Sequence, residues 1–386
     1  MLSQSLLKKI QGIETPFYYY DTGLLKETLK AAKKGAEKYN IDLHYALKAN
    51  ANKNILKYIK DSGFGADCVS GNEVKRAFEC GFKANRIVFA GVGKSDEEMR
   101  YAIKKNIFCF NCESLEELKV ISAIAKSENK KAPVALRINP NVNAHTHHYI
   151  TTGLEENKFG INSWELEEAM KLIDASKHIK LIGLHFHIGS QITDLTVFKN
   201  LCLKVNEMLE WFANRNILIE NINLGGGLGV DYYHPDKNPV PDFESYFSLF
   251  RKFLKIEPSQ KMHLEPGRAI VAQSGSIISR VLFVKKGMQT NFIILDAGMT
   301  ELLRPALYQS YHQIENITGS KRNKYVTYDV TGPICESSDC FRKAVELPET
   351  KRGDIMAIRT TGAYGESMSL NYNLRNKAKV YLAEDL

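Results

Sequence analysis

The chain has 386 residues, of which 44% are hydrophobic and 25% are charged, and it carries a net charge of +8. This composition is that of an ordinary globular protein and excludes a disordered or fibrous chain, while the length predicts one large barrel, two domains, or both. The lysines are spread along predicted helices and form no single basic block, so small anions are expected partners and nucleic acid is not.

The amino-terminal segment predicts neither secretion nor a membrane partner. Residues 1–9 lack an apolar stretch of signal-sequence length, and the chain has no uninterrupted apolar run of bilayer length. Seven scattered cysteines, an odd number, fit a reducing compartment better than a disulfide framework. We therefore expect a cytoplasmic protein.

From about residue 42, short β-type runs alternate with amphipathic helical stretches. One such helix, at 114–127, opens with Ser-Leu-Glu-Glu, a plausible N-cap followed by first-turn acids. Eight β/α repeats predict an α/β fold, a (β/α)8 TIM-like barrel over residues 24–273, and not a doubly wound sheet. The predicted strands are 44–47, 65–69, 87–90, 107–112, 134–138, 181–187, 222–224 and 262–265.

After residue 273 the helical alternation stops. Short β-type runs separated by turns predict a C-terminal β-rich domain, of β-sandwich or Greek-key-like type, formed by residues 1–23 and 274–386. The predicted strands of this domain are 15–20, 276–284, 292–295, 325–330 and 355–358.

Reactive residues fall at the predicted strand ends, where barrel enzymes gather their chemistry. An apolar barrel has little structural need for a lysine, a histidine, a glutamate and arginines converging on one rim. These residues are Lys48 after the first strand, Asp67 in the second, Arg137 in the fifth, His187 at the sixth, Gly225-Gly226-Gly227 at the seventh and Glu265-Pro266-Gly267-Arg268 at the eighth.

The glycines of 225–229 form either a plain turn or a phosphate site. Their spacing lacks the third glycine of a dinucleotide fingerprint, whereas barrel phosphate sites use the loops after strands seven and eight. Lys48 facing such a site suits pyridoxal phosphate, which needs an amine for its Schiff base and an anchor for its phosphate. Glu265 would keep the pyridine nitrogen protonated.

Five segments resemble the ordered motif set of the fold-type III pyridoxal-phosphate-dependent decarboxylases, and the resemblance extends over essentially the whole chain. It implies a homodimer with shared active sites, in which the β-rich domain completes the site and the interface. The segments are YALKAN at 45–50, HFHIGSQ at 185–191, GGG at 225–227, EPGR at 265–268 and GPICESSD at 332–339.

The resemblance also implies individual roles. Lys48 would carry the cofactor, His187 would stack on its ring, and Glu265 would support the ring nitrogen. Cys335 would reach in from a second subunit to protonate Cα. The other residues expected to bind the cofactor are Ser190, Gly226, Gly227, Gly267, Arg268, Tyr364, Asp67 and Arg137.

Several of these residues have structural alternatives. His187 could be a structural histidine whose ring nitrogens are hydrogen-bonded within the barrel, and Cys335 could be a small buried hydrophobic residue. Asp67 and Arg137 are equally compatible with a buried structural pair beneath the site.

Charge complementarity indicates which groups the distal end of the substrate carries. A distal amine alone calls for carboxylates, whereas a distal amino-acid end calls for arginine and glutamate together. The chain offers such a set, and its segments 137–142 and 151–161 resemble the family members that act on diaminopimelate, where they would form a loop over the site. The residues expected to bind substrate are Arg268, Arg304, Tyr308, Glu336 and Tyr364.

The expected reaction is decarboxylation of meso-diaminopimelate to L-lysine, the last step of lysine biosynthesis. The alternatives are a related ornithine, lysine or arginine decarboxylase, a racemase, or a non-catalytic cofactor carrier. The cluster His145-Thr146-His147-His148 lacks acidic or cysteine partners at ligand spacing, so no metal is expected. Cys109 and Cys112 lie in a predicted strand, so we expect them to be buried core residues.

Overall fold

The computed structural model describes residues 8–142 and 158–386, which form two compact units. No helix in these ranges is long and apolar enough to cross a membrane. The barrel unit comprises the described residues of Leu29–Gly229 and Asp242–Gly267, and the β-rich unit those of Met1–Thr28, Val230–Pro241 and Arg268–Leu386.

Within the described residues of the barrel unit, eight parallel strands close into a barrel in chain order, and the last strand pairs with the first. This confirms the predicted (β/α)8 fold. Numbering along the chain gives β1 (Phe17–Tyr20), which belongs to the β-rich unit. The barrel strands are β2 (Ile41–Ala46), β3 (Gly65–Cys68), β4 (Ile87–Phe89), β5 (Cys109–Cys112), β6 (Ala132–Arg137), β7 (Ile179–His185), β8 (Asn221–Asn223) and β9 (Lys261–Leu264).

Helices alternate with these strands and begin at residues able to cap them. Ser70, Ser95 and Ser114 each accept a hydrogen bond from the backbone N–H three residues later, which satisfies a donor that the first helical turn leaves open. The predicted cap at Ser114 is thereby confirmed. The helices are α1 (Thr22–Tyr39), α2 (Lys53–Asp61), α3 (Gly71–Glu79), α4 (Asp96–Lys104), α5 (Leu115–Ser127), α6 (Leu166–Ala175), α7 (Thr196–Ala213) and α8 (Phe243–Phe253).

Seven of the eight barrel strands end one or two residues before the predicted position, and at two of them the difference moves a predicted site residue out of its strand. β7 ends at His185, so His187 lies two residues beyond the strand and not at its end. The amide of Phe186 still donates to the carbonyl of Asn223 at 2.8 Å, after which the chain leaves the sheet. β9 ends at Leu264, which places Glu265 in the following loop. Both residues therefore belong to the loops at the carboxyl ends of the strands.

The β-rich unit is a mixed sheet built around one long strand, β10 (Gly275–Lys286). Its first half pairs with β1 and β15, and its second half pairs with β11. The prediction of a β-rich second domain is confirmed. The remaining strands and short helices are β11 (Asn291–Leu295), β12 (Ile314–Asn316), β13 (Tyr325–Thr331), β14 (Cys340–Pro348), β15 (Ile355–Ile358), β16 (Lys379–Leu382), α9 (Arg268–Val271) and α10 (Arg304–Tyr308).

Candidate active site

Lys48 lies in a single 3-10 turn, Leu47–Ala49, that directly follows β2. Its two neighbours in the turn are fully buried, whereas Lys48 is half-buried. Gly267 packs closely on this turn, since a Cβ on Gly267 would lie 3.1 Å from that of Ala46 and 3.2 Å from that of Ala49. The missing side chain of Gly267 therefore lets the loop after β9 pass beside the lysine.

Glu265 is a buried carboxylate with three donors. Its Oε1 accepts hydrogen bonds from Nδ2 of Asn223 at 2.6 Å and from Nδ2 of Asn111 at 3.3 Å. Its Oε2 accepts from Nε2 of His185 at 2.9 Å. A carboxylate offers about four acceptor positions, so these bonds leave room for a further donor. Burial alone would raise the pKa of Glu265, but the bond from His185 and the nearby charge of Lys48 hold it well below its ordinary value.

His187 is held neutral beside the glycine loop. The backbone N–H of Gly226 donates to Nδ1 of His187 at 3.3 Å, so Nε2 carries the ring proton. Burial and the charge of Lys48 lower the pKa of His187 well below its ordinary value. A neutral imidazole is a flat, weakly polar surface, which suits the stacking role expected of it.

The glycine loop keeps two amides available for an anion. The N–H groups of Gly227 and Leu228 have no acceptor among the described residues, in contrast to that of Gly226. Gly227 has φ 120°, and a Cβ there would lie 2.9 Å from the carbonyl oxygen of Gly189, which precedes Ser190. Only glycine fits this close approach, and paired free amides are typical of phosphate sites.

Arg137 forms a buried ion pair with Glu113, its NH1 lying 2.6 Å from Oε1. The structural alternative of an Asp67–Arg137 pair is therefore wrong. The guanidinium also lies 4.7 Å from the ring centroid of Phe159. Asp67 is buried, and its Oδ1 has no hydrogen-bond partner among the described residues. A buried carboxyl group without a cationic bond partner favours its neutral form.

The predicted loop after β6 is described only at its two ends. The amide of Ile161 donates to the carbonyl of Arg137 at 2.7 Å, and that of Asn139 to the carbonyl of Ile161 at 3.0 Å. These bonds join the two ends of the loop next to the ion pair. Residues 143–157, with the cluster His145–His148, lie outside the described residues.

The β-rich unit buries two of the predicted substrate residues together. Arg268 and Arg304 are 6% and 5% exposed, and both donate to the hydroxyl oxygen of Tyr232, at 2.6 Å and 2.9 Å. Arg268 also lies 4.8 Å from the ring centroid of Tyr364. Tyr364 has φ 59°, an uncommon value for a side chain of its size. Burial would lower the pKa of Arg268, but Tyr232 and Tyr364, with a smaller contribution from Tyr308, raise it above its ordinary value.

Cys335 and Glu336 are exposed on the β-rich unit, so Cys335 is not the buried small hydrophobe that the sequence left as an alternative. A hydrogen bond with Glu336 raises the pKa of Tyr372, and Cys335 is close enough to contribute. Tyr372 and Leu374 are 45% and 93% exposed. A thiol, an acid and the ring of Tyr372 therefore lie close together on the exposed surface.

Sequence reasoning missed several polar partners in the site. His185 lies within a recognised motif, yet only its neighbour His187 was given a role. Asn111 and Asn223 lie inside barrel strands, where a buried side-chain amide is unusual. Because a buried amide needs a hydrogen-bond partner, these residues could have indicated a carboxylate nearby. Glu113 and Tyr232 carry no such local signal, because their partners are distant in sequence.

The barrel unit fits pyridoxal phosphate on its own geometry. Glu265 stays ionised while buried, as a partner for a protonated ring nitrogen must. The amides of Gly227 and Leu228 suit a phosphate group, and Lys48 supplies the amine. These three features match the amine, anchor and ring partner that the cofactor requires.

Comparisons with known proteins agree with this chemistry. Residues 22–272 match the model of the pyridoxal-dependent decarboxylase, pyridoxal binding domain. A diaminopimelate decarboxylase of Bacteroides thetaiotaomicron is 53% identical over 381 residues, covering 98% of both chains. One from Neisseria meningitidis serogroup B is 40% identical, covering 97% of this chain and 89% of the relative.

A solved structure is similar over almost the whole chain. The diaminopimelate decarboxylase of Helicobacter pylori complexed with L-lysine superposes with a TM-score of 0.92 at 41% identity, covering 99% of this chain and 94% of the other. The family model, the relatives and this structure agree on fold and cofactor. The chain belongs to the diaminopimelate decarboxylase family of pyridoxal-phosphate-dependent enzymes.

Proposed function

We propose that the protein removes CO2 from meso-diaminopimelate to form L-lysine, the last step of lysine biosynthesis. The observation that carries the proposal is the pair of buried arginines, Arg268 and Arg304, in a family whose barrel chemistry acts on amino acids. Buried guanidinium groups bind a carboxylate in bidentate fashion. The substrate end that does not react carries such a carboxylate.

A substrate with only a distal amine fits these residues poorly. Arg304 makes no ion pair with any described residue, and a cationic amine beside it would be repelled. The relative from Helicobacter pylori binds L-lysine, which carries the amino-acid end that remains after decarboxylation. Arg268, Arg304, Tyr308, Tyr364 and Glu336 are therefore assigned to the distal end of the substrate.

The barrel residues divide the chemistry among them. When bound, pyridoxal phosphate supplies an electron sink for the electron pair that CO2 leaves at Cα. Lys48 would hold the cofactor through Nζ. Glu265 would hold a proton at the ring nitrogen, and the neutral ring of His187 would stack on the cofactor and exclude water. Cys335 gives the proton that replaces the carboxylate at Cα.

The activity test uses the purified holoenzyme and meso-diaminopimelate. We expect L-lysine and CO2 in equal amounts, and a loss of turnover on the order of 10³-fold or more in Lys48→Ala, since this change removes the amine that carries the cofactor. The control Lys57→Ala changes an exposed lysine of α2 and should leave turnover unchanged. Absence of L-lysine with the unmodified enzyme would refute the proposed function.

We further propose a homodimer in which Cys335 and Glu336 serve the active site of the other subunit. The exposed group of Cys335, Glu336 and Tyr372 supports this, together with Leu374, which is 93% exposed two residues further along the chain, because exposed large apolar side chains are typical of protein interfaces. Isologous contact would place the same surface on both subunits. Each dimer then has two shared sites.

Mixed dimers test the shared site. Subunits with Lys48→Ala and subunits with Cys335→Ala are inactive or slow as separate dimers, but a mixed dimer regains one intact site. Random mixing is therefore expected to restore about a quarter of the unmodified turnover. Turnover that equals the mean of the two separate variants would contradict a shared site.

We also propose that the protein acts in the cytoplasm. All seven cysteines lie within the described residues, and none forms a disulfide. Free thiols in this number are typical of a reducing compartment.

A further inference from the structure

Tyr232 is the point where the two buried arginines of the β-rich unit meet. It lies in the segment Val230–Pro241 and is 6% exposed. Its hydroxyl accepts one hydrogen bond from Arg268 and one from Arg304. The guanidinium carbon of Arg304 also lies 4.9 Å from the centre of the Tyr232 ring, within the range of a cation–π contact. One phenol thus orients two cations.

Two guanidinium groups bonded to one buried oxygen repel each other, because little water is present to screen their charges. The Nε of Arg304 is buried and has no hydrogen-bond partner among the described residues. A carboxylate bound between the two groups would relieve the repulsion and accept the open N–H. The arrangement therefore selects an anion.

His312 fixes Arg304 from a second side. Nε2 of His312 accepts a hydrogen bond from NH1 of Arg304 at 2.9 Å, and Nδ1–H donates to the backbone carbonyl of Arg359 at 2.9 Å. This pair of bonds requires the neutral Nδ1–H tautomer. The His312 ring also packs edge-on against Tyr232, with ring centroids 5.0 Å apart.

Arg359 in turn is anchored by two acids. Its NH2 lies 2.8 Å from Oδ1 of Asp236, and its NH1 lies 2.9 Å from Oε1 of Glu315. Asp236 belongs to the same segment as Tyr232. The acids of this network therefore neutralise Arg359, whereas the side chains that bond Arg304 within the described residues are the uncharged Tyr232 and His312.

We propose that Tyr232 and His312 are positioning residues that hold Arg268 and Arg304 in one orientation as a clamp for the distal carboxylate of the substrate. The proposal rests on the function proposed above and deepens it. Aspartate or glutamate in place of either residue would also fix the arginines, but would compete with the substrate for them. Uncharged acceptors orient the clamp and leave its charge for the ligand.

The test compares two ligands that differ only at the clamp. L-lysine carries the carboxylate, and 1,5-diaminopentane has the same chain without it. Calorimetric titration of the holoenzyme with each ligand gives a preference for L-lysine. In Tyr232→Phe we expect L-lysine to bind roughly 10- to 100-fold more weakly, since a buried hydrogen-bonded group loses its partner, and 1,5-diaminopentane to bind within about threefold of the unmodified enzyme.

Tyr233→Phe is the matched control. Tyr233 is adjacent in sequence, is 62% exposed and stacks on Tyr311, so this variant loses a hydroxyl but keeps its ring contact. Its binding of both ligands should equal that of the unmodified enzyme. The KM for meso-diaminopimelate should rise in Tyr232→Phe by a larger factor than kcat falls.

Two substitutions of His312 give an independent test should Tyr232→Phe fail to fold. His312→Gln keeps an acceptor for Arg304 and should retain most of the preference for L-lysine. His312→Leu removes the acceptor and should lose that preference. The cofactor absorbance is recorded for each variant to confirm an intact barrel site.

The outcomes separate this inference from the proposed function. An unmodified enzyme that forms L-lysine, together with Tyr232→Phe and His312→Leu variants of unchanged ligand preference, overturns the positioning role alone. Equal affinity of the unmodified enzyme for both ligands overturns the clamp itself. Failure to form L-lysine from meso-diaminopimelate, with the ligand preference intact, overturns only the proposed reaction.

Discussion

At the scale of single residues, the pKa values of two buried carboxyl groups near Lys48 are shifted in opposite directions. Burial and the neighbouring charge of Glu265 raise the pKa of Asp67 well above its ordinary value, and the charge of Lys48 offsets this only in part. Glu265 has the same burial but receives the bond from His185, so its pKa is lowered. Environments that separate two acids in this way assign them different roles.

The two acids should therefore respond differently to amide substitution. Glu265→Gln removes the charge that supports the ring nitrogen and is expected to lower kcat for meso-diaminopimelate by roughly 10²- to 10⁴-fold. Asp67→Asn replaces an acid whose raised pKa favours the neutral form by a neutral amide of the same shape, and kcat should stay within about tenfold. Steady-state kinetics of both holoenzymes measure this difference, and a larger loss in Asp67→Asn would contradict the assignment.

At the scale of elements, the strand ends of the barrel were predictable from the sequence. Parallel barrel strands are buried on both faces, so they read as short apolar runs between helical stretches, and each one was placed within a few residues. Lys48 and Glu265 follow directly from that placement. The bonds between strands, such as that from His185 to Glu265, depend on the closure of the barrel and leave no local pattern.

The failure to predict three strands of the β-rich unit has physical causes. β14 is the edge strand of its sheet, and its exposed charged residues and the positive φ of Ala344 interrupt the alternation of apolar and polar positions. β12 and β16 have only three and four residues. The segment Val230–Pro241 groups with this unit although it lies between β8 and α8 in the chain, so the role of Tyr232 could not be predicted.

At the scale of the whole molecule, a pair of histidines inside the barrel links its stability to pH. Nε2 of His44 lies 3.1 Å from Nδ1 of His263, whose Nε2 lies 3.0 Å from Oδ1 of Asn221. Burial lowers the pKa of His44 to about 4, with the charge of Arg86 contributing. Burial and the proximity of His44 lower the pKa of His263 to about 3.

These lowered pKa values mean that the unfolded chain binds more protons than the barrel between about pH 3 and the ordinary histidine value of about 6.5. The two histidines therefore cost no stability above that window, and the free energy of unfolding falls as the pH decreases through it. Between pH 7 and pH 5 the expected loss is about 1 to 2 kcal/mol for each histidine.

Urea unfolding of the holoenzyme at pH 7 and pH 5 measures this loss. The double variant His44→Gln, His263→Gln cannot titrate, so its urea midpoint should fall less between the two pH values than that of the unmodified protein, whatever its stability at pH 7. His234→Gln removes an exposed histidine and should keep the full pH dependence. If the double variant lost as much stability at pH 5 as the unmodified protein, acid unfolding would not proceed through the protonation of this pair.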